Sequence, residues 1–108
     1  MKTRLFDITT VILTVICAGQ ALADESLAKK SGCLECHNID KNIIGPSFHN
    51  VAEKYKNDSQ ARVALIKTVK NGGKGNWTDI SHGVPMPPYS PRLSDAEIER
   101  LVDWILQL

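Results

Sequence analysis

This sequence has no excess of charge of either sign. Thirteen Lys and Arg stand against twelve Asp and Glu in 108 residues, a formal net charge of +1, and without Lys2, Arg4 and Asp7 the balance is neutral. Binding nucleic acid calls for a basic surface that displaces counterions from phosphate, so no nucleic-acid partner is expected. Long hydrophobic runs are missing too. The one apolar stretch, Ile8 to Ala18, is about half of the roughly 20 residues that cross a bilayer, and none of that length follows it. No stable membrane span is expected. Internal repeats, low-complexity tracts and linkers are absent, so one compact domain is the simplest partition. Alternating strand patterns are absent as well, which leaves an all-α domain with extended loops.

The start of the chain is built like an export signal. Lys2 and Arg4 precede the apolar run, and Ala21-Leu22-Ala23 supplies small residues at both positions of a cleavage site. Residues 1–23 are expected to be removed after Ala23, leaving residues 24–108 as the folded domain in the periplasm. Cys17 falls within the apolar run, and Thr14-Val15-Ile16 lacks the small residue that precedes a lipidated cysteine, so Cys17 is expected to leave with the signal. Of the three cysteines, Cys33 and Cys36 then remain. A domain this small gains from added help beyond its core, and a buried prosthetic group would supply it.

Three helices are legible. The first runs from about Glu25 into the Cys33 region, with Gly32 near its end. A second is capped by Asp58 or Ser59, carries Ala61, Ala64, Leu65, Thr68 and Val69 on one face, and stops at Gly72-Gly73. The last has the Ser94/Glu97 capping box and a core-facing stripe of Ile98, Leu101, Val102 and Ile105. Between them, Asn42 to Phe48 and Gly72 to Pro91 read as functional loops.

Cys33-Leu34-Glu35-Cys36-His37 is a C-x-x-C-H sequence, the attachment signature of c-type haem. Two thiols three residues apart near a helical turn can add to the two vinyl groups on one porphyrin edge, and the adjacent imidazole then reaches the iron. Three other readings compete. Structural zinc needs further ligands, which His49 and His82 offer only at odd spacings. A thioredoxin-like dithiol wants a preceding strand and an alternating strand and helix pattern. A plain disulfide leaves His37 and the downstream loop without a role.

The sixth iron ligand must come from elsewhere, and beyond Met1 the sequence has only Met86. It stands in Val84-Pro85-Met86-Pro87-Pro88, where flanking prolines bar helix formation and stiffen the backbone. His82 and His49 are the rival sixth ligands. Ser47, Ser81 and Ser90 have no histidine and carboxylate context, so nucleophilic catalysis finds no support and no enzyme is expected.

As an ordered set, Cys33 to His37, Gly45-Pro46-Ser47-Phe48, Trp77 and Met86-Pro87-Pro88 resemble the small class I mono-haem cytochromes c of bacteria over nearly all of residues 24–108. The resemblance implies a cytochrome c fold of three to five helices wrapped around one covalently bound haem c. It gives Pro46 the role of accepting a hydrogen bond from His37, and Trp77 that of donating to a haem propionate. It also crosses the first and last helices near a right angle, with Trp104 opposite Leu27 to Gly32, although no aromatic precedes the motif here. The function implied is periplasmic electron transfer through a haem with His37 and Met86 as axial ligands. Its partners would be redox proteins: an oxidase, a reductase or a dehydrogenase. The chain would act as a monomer or as the electron-accepting subunit of a larger periplasmic complex. A haem enzyme or gas sensor would need an open iron position, which Met86 would fill.

Overall fold

The computed structural model describes residues 9–108, with side chains from residue 19 onward. Lys2, Arg4, Asp7 and Ile8, which carry much of the export-signal reading, lie outside the described residues, as does the side chain of Cys17. Six helical segments follow one another: α1 (Thr9–Lys30), α2 (Cys33–Cys36), α3 (Phe48–Lys54), α4 (Ala61–Asn71), α5 (Thr78–Ser81) and α6 (Asp95–Leu106). Two of them are single turns, which takes the number above three to five. Among the described residues there is no strand, only isolated bridges between His37 and Asn42 and between Gly73 and Met86. No described helix is long and apolar enough to cross a membrane.

α6 organises the rest. Ser94 Oγ accepts from the Glu97 backbone N–H and the Glu97 carboxylate accepts from that of Ser94, closing the capping box. Most of its stripe is buried, with Ile98, Leu101 and Val102 no more than 2% exposed and Ile105 half-buried. Against it lie α1, α3 and α4. Ala28, Phe48, Tyr89, Leu93 and Trp104 complete the core.

The remaining helices depart from the sequence reading in ways that have causes. α1 begins well before Glu25, since a run of apolar residues without proline can propagate helix toward the N-terminus. Its described residues 19–23 are all exposed, and packing begins at Asp24, whose carboxylate accepts from Arg100 Nε and Nη2 at 3.1 and 2.7 Å. The helix stops before Gly32, whose φ of +86° suits a glycine, so the motif starts a separate turn. α3 has no counterpart in the sequence reading, where only its first residue, Phe48, falls within the Asn42 to Phe48 loop. Its N-cap is Ser47, whose Oγ accepts from Asn50 N, and it buries Phe48, Val51 and Ala52. α4 is capped at Gln60 rather than at Asp58 or Ser59; the Asp58 carboxylate instead accepts from Gln60 N and closes the turn just before the helix. Ala64 is exposed, whereas Leu65, Thr68 and Val69 are half-buried because they border a cavity rather than solid core. Trp104 meets Phe48 of α3 edge-on, ring centroids 5.7 Å apart, so the aromatic that the first helix lacks is supplied by α3.

Candidate functional site

An apolar cavity of about 200 Å³ opens between α3, α4, α6 and the segment from Gly73 to Tyr89. Cys33, Cys36, His37, Pro46, Trp77 and Met86 all line it. Neither His49 nor His82 does. His49 is on the surface, with Nδ1 2.7 Å from the Asp40 carboxylate, and His82 is exposed with a left-handed φ of +52°.

Each wall follows from its own stretch of chain. α2 is one turn, and the His37 N–H closes it by donating to Cys33 O at 3.0 Å. His37 then turns extended, with Nδ1 2.7 Å from Pro46 O. A carbonyl only accepts, so Nδ1 carries the proton and Nε2 keeps its lone pair free. The ring is further held by stacking on Phe48, centroids 5.2 Å apart and planes 23° from parallel. Gly45 must be glycine for a steric reason, since a Cβ there would stand 2.5 Å from His37 Cε1 and 2.8 Å from Nδ1. Burial pushes the His37 pKa down, which the Pro46 hydrogen bond only partly offsets, so the imidazole is neutral and fit for a metal.

Met86 is held from a distance. It exchanges both backbone hydrogen bonds with Gly73, each at 2.9 Å, and Tyr89 N donates to Val69 O at 3.0 Å. The proline-rich segment is thus clamped along the C-terminal end of α4. Trp77 is half-buried, with Lys54 Nζ 4.4 Å from its ring centroid. Sequence reasoning passed over Tyr89 and the contact of Gly45 with His37. Position directly after Met86-Pro87-Pro88 and directly before Pro46 was the available signal.

The competing chemistries fare less well against this geometry. Cys33 and Cys36 are free thiols, and burial raises the pKa of Cys33, whereas a redox-active or zinc-bound cysteine wants a lowered one. Among the described residues no three His, Cys, Asp or Glu side chains are grouped to hold a metal ion. Free thiols in a greasy slot suit addition to the vinyl groups of a flat apolar ring, and a lone neutral imidazole suits iron already held by four ring nitrogens.

Fold and site together define an all-helical domain for covalently attached haem. Residues 17–108 match the cytochrome c family, and the chain belongs to it. It is similar to cytochrome c-551 of Allochromatium vinosum, 46% identical over 91 residues that cover 84% of this chain and 92% of that one. It is also similar to cytochrome c-552 of Nitrosomonas europaea, 39% identical over 94 residues, 87% of this chain and 86% of the relative. Among solved structures, wild-type Nitrosomonas europaea cytochrome c552 superimposes with a TM-score of 0.69 at 37% identity, covering 78% of this chain and 98% of that one. The class 1 cytochrome MtoD from Sideroxydans lithotrophicus gives 0.67 at 38%, covering 79% and 91%. The protein is a small class I mono-haem cytochrome c that binds one covalent haem c and transfers electrons with redox partners.

Proposed function

We propose that this chain is an exported carrier of single electrons, with residues 1–23 as a cleaved leader and 24–108 as the working domain in the periplasm. In this reading Cys33 and Cys36 form the thioether bonds, and His37 and Met86 are the axial ligands. Pro46 sets the ring of His37, and Trp77 donates to a propionate. The leader assignment is supported by the exposure of residues 19–23, Leu22 at 69%, against the engagement of Asp24 with Arg100.

The observation that carries the ligand assignment is the Nδ1 to Pro46 O contact of 2.7 Å, which leaves Nε2 free in a cavity that Met86 also lines. Haem supplies the one-electron couple of its iron, and the chain supplies the rest. His37 and Met86 would hold the iron through an imidazole and a thioether that both line the cavity, so little would have to reorganise between oxidation states. With both residues holding it, peroxide or a gas would find no open place on the iron, which favours a carrier over an enzyme. Its partners would be an oxidase, a reductase or a dehydrogenase.

One preparation of exported protein tests the proposal. Its intact mass should equal residues 24–108 plus one haem, and its oxidised form should show the near-infrared sulfur-to-iron charge-transfer band. Met86→Ala should lose that band and lower the reduction potential, because a thioether favours ferrous iron. His82→Ala should change neither. The reverse pattern would overturn the ligand assignment.

A further inference from the structure

One polar side chain on the cavity wall has no partner. Ser81 is 8% exposed, borders the cavity, and keeps its Oγ buried without a hydrogen bond. An unmatched buried hydroxyl costs about 1–3 kcal/mol, so a natural sequence that keeps one has a use for it. A serine in a helix can return its hydroxyl to the carbonyl four residues back. Here that carbonyl belongs to Trp77, and it already accepts from the backbone N–H groups of Ile80 at 3.0 Å and Ser81 at 2.9 Å. With both of its lone pairs engaged, the usual local acceptor is closed to the hydroxyl.

Ser81 lies one helical turn after Trp77, on the same face, and both residues border the cavity. The group that occupies this cavity, on the cytochrome c reading, brings its only strong acceptors as two carboxylates; a thioether sulfur is a weak acceptor. We propose that Ser81 Oγ–H donates to a haem propionate at the edge where Trp77 lies, making Ser81 a positioning residue for the porphyrin and a partial shield for that negative charge. A shielded carboxylate stabilises ferric iron less, so the hydroxyl raises the reduction potential.

The test uses the matured holoprotein with Ser81→Ala and Ser81→Thr. In Ser81→Ala the covalent haem and the near-infrared band should persist, while the oxidised-to-reduced ratio at a fixed electrode potential rises roughly two- to threefold, as expected for one lost charge-assisted bond felt through the macrocycle. Ser81→Thr keeps the donor and should stay with the wild type. In the ferrous wild type the Ser81 hydroxyl proton should exchange slowly and show an NMR cross-peak to a propionate methylene. An unchanged potential in Ser81→Ala, with equal or higher thermal stability, would overturn the proposal, as would equal shifts in both variants. A wild type that matures without covalent haem would overturn the cofactor reading itself, a failure distinct from a loaded protein indifferent to residue 81.

Discussion

The two walls of the cavity hold their key side chains by different means. On the His37 wall the anchors are near in sequence and include side chains: Gly45 N donates to Cys36 O at 2.8 Å, Phe48 N to Asn38 O at 2.9 Å, and Asn42 Oδ1 accepts from both Ser47 N and Asn50 Nδ2. The Met86 wall hangs on backbone pairs to the end of α4, from Gly73 to Met86 and from Val69 to Tyr89. Loop length alone does not separate them, for closing the longer Gly73 to Met86 loop instead of the Cys36 to Gly45 loop costs only about 0.3 kcal/mol more. What separates them is redundancy. The His37 ring has a hydrogen bond, a stacking partner and a shoulder of buried backbone at Gly45 and Pro46. Met86 is half-buried between exposed prolines. The structure thus pairs a His37 wall fixed by both side chains and backbone with a Met86 wall whose backbone bonds all run to the end of α4, and a segment that depends on one neighbouring element opens with it.

Each wall has one glycine that cannot accept a side chain, which offers a direct way to break the contrast. Gly72→Ala should do the most damage. Gly72 has φ of +67° and ψ of −165°, a region essentially reserved for glycine, and an added Cβ would meet the Met86 carbonyl oxygen and stand 2.8 Å from Pro88 N. Backbone strain of about 1–3 kcal/mol adds to overpacking of similar size, about 1–3 kcal/mol. The unfolding temperature of the holoprotein should fall accordingly, and, on the proposed ligation, the near-infrared band should weaken. An unaltered band would show that Met86 does not rely on this clamp.

Gly45→Ala comes next, at about 1–3 kcal/mol of overpacking against the His37 ring. Its cost falls on the His37 wall, so haem loading and thermal stability should drop while, on the proposed ligation, the matured fraction keeps the near-infrared band. Loss of the band in parallel would mean that the walls are coupled.

Ser94→Ala is the smallest of the three and acts as a common control, since α6 contributes Leu101, Val102 and Ile105 to the cavity. Loss of the cap should cost about 1 kcal/mol without moving the band. Its pH dependence has a definite sign. Hydrogen bonds from the Ser94 backbone and side chain hold the Glu97 carboxyl below its ordinary value. A folded pKa below the unfolded one means the contribution is complete above the unfolded pKa and disappears as the pH falls through the folded one. Comparative unfolding of wild type and Ser94→Ala across the acid range should show the difference shrinking; a constant difference would assign it to the Ser94 cap alone.

Legibility in the sequence followed the same division. α6 could be read in full because its cap, its stripe and its length are all local signals. α3 could not, being seven residues long, shorter than the window in which periodicity speaks, although Ser47 was there to be taken as a cap. The start of α4 lies at Gln60 rather than at the expected Asp58 or Ser59, since several polar residues in a row offer equivalent turns and only the closed structure selects one.

By itself the sequence determined the chemistry on offer: two thiols and an imidazole at the spacing of C-x-x-C-H, one methionine set among prolines, and a last helix with its cap and its apolar face. Those depend on covalent spacing and local backbone preference, which no distant contact can alter. Tertiary structure alone decided that Met86 pairs with Gly73, that His49 and His82 stay outside the cavity, that Phe48 supplies the aromatic facing Trp104, and that the Ser81 hydroxyl is left without a partner. Each of these depends on which groups far apart in the chain come to share a surface once apolar area has been buried, and residue type at a single position carries no information about its eventual neighbours.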